Sequence, residues 1–436
     1  MLNFSKDIAV KIKTDVFIAG GGPAGVAAAL ACAKQGKRVF LAEAGGCFGG
    51  SSTSALVPEL MNFDDGENFL SGGVGRTVHD RLFDDVARNR KWYVVKSETI
   101  KRLYDELITA AGVDFLFYSK VADVVTDGSG RVKYAVLSGK KGIYAAAADV
   151  FIDCTGDGSL SAWAGADFEY GGENGAVAGA TLCSVWGGID FSKKDFIFDG
   201  CKYGEAYAKG YFSQYDGILP GIKPTHPEVG VGGGNVGHLF HVDDTDERSL
   251  TEAMLYGRKN VLEYERYYRD FLPGFDKATL LETANVLGVR ESRRIIGDIV
   301  MNYKHFLDRQ VFDDEIGRYS YPIDIHPETA DQKGAADFTD NVSKAYAPGE
   351  SYGISYRALT PKKLQNVLVA GRCISADRSM QASMRVIPCC YITGQAAGAA
   401  AACVGADGDV HSVNIKEVQM KLKELGAYLP NFQGSY

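Results

Sequence analysis

The sequence lacks several features that would place it in well-defined classes. Its nine cysteines include no Cys-x-x-Cys pair, so neither a zinc ribbon nor an iron–sulfur cluster with the usual ligand spacing is encoded. Basic residues are not in excess, since the net charge is −8, which argues against nucleic acid or an anionic membrane surface as a partner. The odd, unpatterned cysteine count suits a reducing compartment, and we expect a cytoplasmic protein.

Long apolar runs are also scarce. Residues 1–15 hold neither an uninterrupted apolar stretch nor a small-residue cleavage site, so we predict no signal peptide. Residues 386–406 are apolar, but they contain Pro388 and Gln395 and are mostly small residues. We therefore expect a packed internal helix there and no membrane span. At 436 residues the chain is long enough for two domains.

Glycine, in contrast, is abundant, and the stretch DVFIAGGGPAGVAAAL places three glycines in a specific context. Residues 15–19 are typical of a short buried strand, and a helix with Pro23 in its first turn follows, up to Gly36. A second apolar strand, RVFLA, then ends at Glu43. Strand, glycine turn, helix, strand and acid together predict a dinucleotide site, in which the helix N-terminus binds phosphate and the acid binds ribose hydroxyls. The glycines of this turn are Gly20, Gly22 and Gly25.

A second Gly-x-Gly-x-x-Gly spacing lies in GVGGGNVGHLF, residues 230–240. Two prolines precede it without a strand-length apolar run, and no helical pattern follows it. A phosphate-binding turn needs a strand before it and a helix after it. We predict an irregular loop here, and one dinucleotide site in the whole chain.

The segments after Glu43 favour FAD over NAD as the dinucleotide. A second glycine-rich loop, AGGCFGGSSTSAL, follows at once, where a nicotinamide domain would continue with another strand and helix. An amphipathic helix is predicted over SETIKRLYDELITAAG, and strands over VDFLFYS, KVADVVT, RVKYAVLSG and ADVFIDC. The last of these strands ends in the tight turn Thr155-Gly156-Asp157-Gly158, where backbone can approach a ligand.

These motifs, together with LGVRESRRIIGD, YRALTPKKLQNVLVAGRCIS and SMRVIPCCYITGQAAGAAAA, resemble the FAD-dependent oxidoreductase family with the glutathione-reductase type of flavin fold. The resemblance is nearest to proteins like the flavin-binding component of heterodisulfide reductase and, more distantly, to fumarate-reductase-like flavoproteins. It implies an α/β fold with a Rossmann-like FAD-binding domain, made of a parallel sheet plus an antiparallel β-meander, and an inserted α+β substrate domain. The domains would comprise residues 1–170 and 351–436 for FAD and residues 171–350 for the substrate.

The resemblance also implies which residues bind the cofactor. Arg385 to Gly398 would form the last helix, with its N-terminus facing the flavin, where a positive dipole end stabilises charge on the reduced ring. The implied cofactor-binding residues are Gly20, Gly22, Pro23, Ala24, Gly25, Glu43, Ala44, Gly49, Gly50, Ser51, Ser52, Thr53, Val121, Thr155, Gly156, Asp157, Gly371, Arg372, Arg385 and Val386.

Two departures from related flavoproteins restrict the chemistry. Relatives with covalent flavin carry a histidine near the position of Ser52, and none is present here, so we expect FAD to be non-covalent. Flavin disulfide reductases use Cys-x4-Cys after the glycine loop, but position 52, five residues after Cys47, is serine. The vicinal pair Cys389-Cys390 would form a strained disulfide, and we interpret it as two buried apolar residues.

The candidate catalytic residues are basic side chains and one tyrosine. Arg290, Arg293 and Arg294 lie close together, and they either orient an anionic group above the flavin or form ion pairs between the domains. His238 and His241 either line the active site or lie at the surface; metal binding is a weaker alternative, and we assign no metal. The candidate catalytic residues are Arg290, Arg294, His238, His241, Tyr356 and Arg385.

The chemistry predicted is hydride transfer between FAD and a small organic substrate, with a nearby side chain moving the proton. With one dinucleotide site, a nicotinamide donor would bind transiently, or a protein donor would replace it. Two alternatives stay open: a flavin-bearing electron-transfer subunit of a larger redox complex, and a flavin monooxygenase or a non-redox flavin enzyme.

Overall fold

A computed structural model describes residues 5–83, 92–172, 175–193, 200–216, 218 and 221–434. Within these residues the chain forms strands β1–β17 and helices α1–α11, numbered in chain order. The strands are Val10–Ala19, Val39–Ala42, Glu59–Met61, Trp92–Val94, Asp114–Leu116, Lys120–Thr126, Val132–Gly139, Gly142–Asp153, Phe168–Tyr170, Ser184–Gly187, Lys223–His226, Val231–Gly234, Thr279–Thr283, Arg293–Ile295, Glu315–Tyr319, Tyr352–Ser355 and Val367–Val369. The helices are Pro23–Lys34, Val74–Leu82, Ser97–Ala110, Ser159–Trp163, Gly200–Ala208, Glu247–Phe271, Tyr303–Leu307, Gln332–Ser343, Arg378–Met384, Ile387–Cys403 and Ile415–Glu424.

The largest sheet has seven strands in the order β5-β2-β1-β8-β7-β6, with β17 also paired to β8. Strands β5, β2, β1, β8 and β17 run parallel, whereas β6, β7 and β8 form an antiparallel meander. This mixed α/β architecture confirms the predicted fold class. Strands β2 and β17 and the final residues of β1, from Val16 to Ala19, are apolar and buried, because helices cover the centre of the sheet.

The chain returns to this sheet at its C-terminal end. Val367 to Val369 pair with Phe151 to Asp153, so β17 extends the parallel sheet beside β8. All carboxyl ends of the parallel strands therefore meet at one edge, which is where ligands bind in open α/β sheets. The predicted domain boundaries at 170 and 350 stay predictions.

Helices α1 and α10 pack together with almost no side-chain volume between them. A Cβ on Gly394 would lie 2.1 Å from the carbonyl oxygen of Ala24, and one on Gly398 would lie 2.4 Å from that of Ala28. Both helices are rich in Ala and Gly because larger side chains would hold the backbones apart.

Among the described residues, no single helix is long and apolar enough to cross a membrane; only the bent pair α9–α10, with 94° between its helices, passes by length and composition.

A second layer of the structure lies over the edge of the seven-stranded sheet where the carboxyl ends of the parallel strands meet. Its four-stranded sheet has the order β11-β12-β10-β13. Helix α6 packs on it through a core of large aromatic side chains, among them Trp186, Tyr264, Tyr267 and Tyr268.

The prediction for the second glycine cluster was wrong on one point: residues 231–234 form a strand of this sheet and not an irregular loop. Its glycines are required because a Cβ on Gly234 would lie 2.8 Å from Trp186 Nε1 and one on Gly233 2.5 Å from Pro58.

Two helix starts also differ from the prediction. Helix α6 begins at Glu247, and its N-cap is Asp246, whose carboxylate accepts from the backbone N–H of Ser249. The sequence predicts a capping box from Ser249 to Glu252, because this Ser-x-x-Glu spacing is typical of a helix start, and that prediction is therefore wrong. The last long helix is α10, which begins at Ile387, because Arg385 ends the short helix α9. The amphipathic helix predicted from residue 97 is confirmed as α3.

Candidate active site

A cleft of about 920 Å³ opens at the carboxyl ends of the parallel strands. That volume is near the upper end for small-molecule and cofactor sites. One wall comes from the residues that follow β1, β2, β8 and β17, and the other mainly from residues between Ile218 and His326. Of the predicted cofactor residues, the cleft is lined by Gly20, Gly22, Pro23, Ala24, Glu43, Ala44, Gly50, Ser51, Thr155, Gly156, Asp157, Gly371, Arg372, Arg385 and Val386.

The glycines of the first turn have three different surroundings. Gly20 has φ +95°, and a Cβ there would lie 2.5 Å from the Cys154 carbonyl oxygen. A Cβ on Gly25 would lie 1.9 Å from the Gly20 carbonyl oxygen, so this glycine allows α1 to start directly against β1. Gly22 differs, because a Cβ there would meet no heavy atom within 4 Å. The space beside Gly22 belongs to the cleft and suits a bound group that approaches the backbone closely.

Glu43 lies where β2 ends, and backbone groups hold its carboxylate. Its Oε2 accepts from the Gly21 N–H at 2.7 Å, and its Oε1 accepts from the Gly45 N–H at 2.6 Å. Burial raises the pKa of Glu43, while these hydrogen bonds oppose the shift. A carboxylate fixed in this way keeps free lone pairs, which can accept hydrogen bonds from ribose hydroxyls.

The loop of residues 49–53 forms a 3₁₀ turn against the first glycine turn, with the Gly49 N–H donating to the Gly21 carbonyl at 2.9 Å. Ser52 and Thr53 are buried, and their hydroxyls donate to the carbonyls of Gly49 and Phe48. These two side chains shape the loop, whereas Gly50 and Ser51 face the cleft.

Arg372 joins the turn after β8 to the second layer. Its Nε donates to the Gly156 carbonyl at 3.1 Å, its Nη1 donates to the Val289 carbonyl at 2.6 Å, and its Nη2 pairs with Asp157. Asp244 lies beside Asp157, and burial together with the charge of Asp157 raises the pKa of Asp244 to about 6.

The N-termini of two helices reach the cleft. Pro23 and Ala24 open α1, while Val386 and Ile387 open α10. Free backbone N–H groups and the positive dipole end at such positions favour negative charge.

The candidate arginines separate into two kinds. Arg294 forms ion pairs with Glu291 at 2.7 Å and with Glu169 at 3.3 Å, and it ties the small β9–β14 sheet to the core. Arg290 lines the cleft with 6% exposure. Its guanidinium donates to three neutral oxygens: the Gly179 carbonyl at 2.6 Å, Thr181 Oγ1 at 2.8 Å and Asn235 Oδ1 at 3.0 Å. Burial and the charge of Arg385 lower the pKa of Arg290 to about 10.

A chain of buried polar side chains runs from the second layer into the cleft. His238 Nδ1 donates to Asp216 at 2.9 Å, and His238 Nε2 lies 2.7 Å from His326 Nδ1. His326 Nε2 lies 3.4 Å from Asp324 Oδ1, and Asp324 Oδ2 accepts from Arg385 at 2.9 Å. His326, Asp324 and Arg385 line the cleft, and His238 lies behind them.

The sequence analysis did not predict three residues of this series of hydrogen-bonded side chains, namely Asp216, Asp324 and His326. A weak signal exists for two of them. In YPIDIHPE, Asp324 and His326 alternate around Ile325, so an extended backbone places both on one face. No local pattern marks Asp216.

The remaining predicted residues lie outside the lining of the cleft. His241 is exposed, with φ +57°. Tyr356 is buried, and its hydroxyl donates to the Val410 carbonyl at 2.8 Å. Val121 is buried in β6.

Cys390 lines the cleft, but burial raises the pKa of its thiol to about 12, so it is not a thiolate near neutral pH. Across the described residues, no group of three or more His, Cys, Asp and Glu side chains is placed to hold a metal ion.

These features fit an FAD molecule: open space beside Gly22 for the pyrophosphate, a fixed carboxylate at Glu43 for a ribose, and the α10 N-terminus for the flavin ring. The fold and the cleft together define a dinucleotide-binding α/β protein of the flavin-dependent type. The chain matches the profile described as FAD dependent oxidoreductase over residues 15–422. It therefore belongs to the FAD-dependent oxidoreductase family, is an enzyme, and uses FAD.

Three similar solved structures are distant from this chain in sequence. A geranylgeranyl bacteriochlorophyll reductase-like protein from Thermoplasma acidophilum is 15% identical with a TM-score of 0.48, covering 95% of this chain and 83% of that chain. The flavin-dependent brominase Bmp2 is 14% identical with a TM-score of 0.43, covering 94% and 83%. The p-nitrophenol 4-monooxygenase PnpA from Pseudomonas putida is 14% identical with a TM-score of 0.38, covering 66% and 70%. The chain matches none of the curated proteins with which it was compared.

Proposed function

We propose that this enzyme transfers a hydride between non-covalently bound FAD and a small organic anion. The observation that carries the proposal is Arg290, a buried cation in the wall of the cleft. A buried charge is costly unless an opposite charge or a full set of hydrogen bonds compensates it. The three acceptors of Arg290 are neutral, and none of the described carboxylates forms an ion pair with it. A carboxylate or oxyanion of the substrate would supply the missing negative charge.

The lowered pKa of Arg290, about 10, still keeps the group charged near neutral pH. Arginine suits this role because its planar guanidinium binds a carboxylate through two parallel hydrogen bonds. Asn235 accepts from Arg290 and also lines the cleft, so it holds the guanidinium in place toward the ligand. Arg385 lines the same cleft, but its charge is already paired with Asp324.

The cofactor would be held by the first glycine turn and Glu43 on the nucleotide side, and by the α10 N-terminus on the flavin side. When bound, FAD accepts or supplies a hydride at its ring system. Arg290 and Asn235 would orient the anion, because a reacting carbon must lie about 3–3.5 Å from the hydride position. We also propose that a transient nicotinamide or a protein supplies electrons, that neither nucleic acid nor a membrane is a partner, and that the enzyme is cytoplasmic.

The test uses the full chain loaded with FAD, in the wild type, in Arg290→Gln and in the exposed control Arg266→Gln. Malonate serves as an unreactive anion, and its binding is followed by the change in flavin absorbance. Small hydroxy-, amino- and unsaturated carboxylates are then screened without oxygen for reduction or reoxidation of the flavin. Loss of one charge-assisted interaction costs about 1.5–3 kcal/mol, so R290Q should bind malonate about 10- to 150-fold more weakly.

The control R266Q should behave as the wild type, because Arg266 lies on the exposed side of α6 and donates to the Tyr211 carbonyl. Wild-type anion binding in R290Q would contradict the anion site. Reaction with uncharged compounds alone would contradict the substrate class. Rapid oxygen consumption by the reduced enzyme with a hydroxylated product would show a monooxygenase instead.

A further inference from the structure

Two histidines at the back of the cleft, His238 and His326, contact each other and one carboxylate each. Each neutral imidazole carries one N–H and one acceptor nitrogen. His238 Nδ1 faces the carboxylate of Asp216, and His326 Nε2 faces the carboxylate of Asp324. Carboxylates accept hydrogen bonds, so His238 Nδ1, at 2.9 Å from Asp216, carries a proton. The contact of His326 with Asp324 is longer, at 3.4 Å, and Nε2 carries a proton in the tautomer that donates to this carboxylate.

The inner contact requires one proton more. His238 Nε2 and His326 Nδ1 are 2.7 Å apart, which is hydrogen-bonding distance. Two bare nitrogens would repel each other there, so one of them is protonated. In the arrangement in which both outer nitrogens donate, the pair holds three protons, one more than two neutral imidazoles hold, and carries one positive charge between two carboxylates.

The surroundings stabilise this charge on the side away from the cleft. Asp216 also accepts from the backbone N–H of His238 at 2.8 Å and from Tyr264 Oη at 3.3 Å, which favours its ionised form. Burial would raise the pKa of Asp216, but the charge and hydrogen bonds of His238 lower it. On the other side, burial and the charge of Arg290 lower the pKa of His326 to about 3. His326 is therefore the neutral ring of the pair.

The contact nearest the cleft is the weakest of the three. His326 Nε2 lies 3.4 Å from Asp324, and Arg385 holds the other oxygen of that carboxylate at 2.9 Å. The ring of His326 borders the cleft that also contains Arg290. A substrate anchored at Arg290 can thus compete with Asp324 for the Nε2 proton.

We propose that His238 and His326 are the proton store of this cleft, with His326 as the residue that gives a proton to the substrate or takes one from it. The inference rests on the proposed function. In the reductive direction, the substrate carbon gains the hydride and the neighbouring heteroatom gains the proton from His326 Nε2. The Nε2–H bond breaks, and the shared proton moves from His238 Nε2 to His326 Nδ1. Both rings end neutral, so charge and atoms balance, and the reverse sequence serves oxidation.

His326 would be the catalytic residue, and His238 and Asp216 would be positioning residues. Because a 2.7 Å contact joins the two rings, the proposed proton store is one unit. The charged and titratable groups that face this unit are Asp216, Tyr203, Tyr264, Asp324, Tyr321, Arg290 and Arg385.

The first measurement needs no substrate. The FAD-loaded full chain is labelled with ¹⁵N at its seven histidines, and the imidazole signals are recorded for wild type, H326Q, D216N and the control H226Q, which lies outside the cleft lining. One strongly deshielded, exchange-protected proton shared by two rings is expected in wild type and H226Q. It should be absent in H326Q and D216N. Two ordinary neutral imidazoles at positions 238 and 326 in the wild type would overturn the inference.

The second measurement uses whichever anion reacts in the screen described above. General acid or base catalysis contributes about 100- to 10,000-fold, so H326Q should slow the exchange of electrons between flavin and anion by that factor. D216N should shift the pH profile of this step, whereas reduction of the flavin by dithionite should stay unchanged in both variants. An unchanged rate and pH profile in H326Q would overturn the role of His326. If no anion reacts, the proposed function fails, and the shared-proton signal by itself decides for or against the proton store.

Discussion

The substitution Gly22→Ala separates cofactor binding from folding. Gly22 has φ −67° and ψ −177°, an extended conformation that alanine adopts without strain. A Cβ there meets no protein atom within 4 Å. The apoprotein should therefore keep its stability or gain about 0.4–1 kcal/mol, because alanine restricts the unfolded chain. The methyl group would instead occupy the space assigned to the pyrophosphate of FAD.

The loss in affinity follows from the contact that the methyl group would block. A charge-assisted hydrogen bond contributes about 1.5–3 kcal/mol, so G22A should bind FAD about 10- to 150-fold more weakly than wild type. Gly25→Ala is the matched comparison. The Cβ of an alanine at position 25 would lie 1.9 Å from the Gly20 carbonyl oxygen. This substitution should therefore lower the free energy of unfolding of the apoprotein by about 1–3 kcal/mol or more.

Urea unfolding of the apoprotein measures stability, and titration of the apoprotein with FAD by calorimetry measures affinity. FAD binding in G22A within twofold of the wild type would refute the placement of the pyrophosphate beside Gly22. A large loss of apoprotein stability in G22A would refute the interpretation of that space as open.

Two further perturbations test packing and charge. A Cβ at position 394 would lie only 2.1 Å from the Ala24 carbonyl oxygen, so Gly394→Val should separate α10 from α1 and lower the melting temperature strongly. The control Gly405→Ala, whose Cβ meets only Asp407 Oδ1 at 3.4 Å, should leave the melting temperature nearly unchanged. Equal melting temperatures of the two variants would show that the helices do not pack this closely. The raised pKa of Asp244, about 6, means that its contribution to stability is full below its unfolded value near 4 and is lost as the pH rises through 6. Asp244→Asn should therefore leave stability unchanged at pH 4 and raise it by about 1–3 kcal/mol at pH 8, as measured by urea unfolding at both pH values, and a constant difference between the two would contradict the assignment.

The cofactor half of the molecule could be predicted from the sequence because its signals are local. Strand, glycine turn and helix follow one another within residues 15–36. Gly20 and Gly25 avoid close contacts with backbone atoms, and Gly22 leaves open space beside the turn, as the spacing alone suggests. The return of the chain to the sheet as β17 was visible only through the family resemblance, since the strand that it pairs with lies more than 200 residues earlier.

The second layer was harder to predict. Glycine has low strand propensity, so the strand Val231–Gly234 gave no local sign, and tertiary packing against Trp186 and Ile222 determines it. Asp216, His238 and His326 come together from positions up to 110 residues apart. Only the fold brings such residues into one hydrogen-bonded chain, which is why two of the three were missed.

The central claim is that the cleft at the carboxyl ends of the parallel strands holds one FAD without a covalent bond. The most direct test is to purify the protein, measure its flavin absorbance, denature it and quantify the FAD released per chain, with added FAD supplied to any apoprotein. The structure predicts a yellow protein that binds one FAD per chain and releases it completely on denaturation. A colourless protein that takes up no added FAD, or flavin that stays attached to the denatured chain, would contradict the claim.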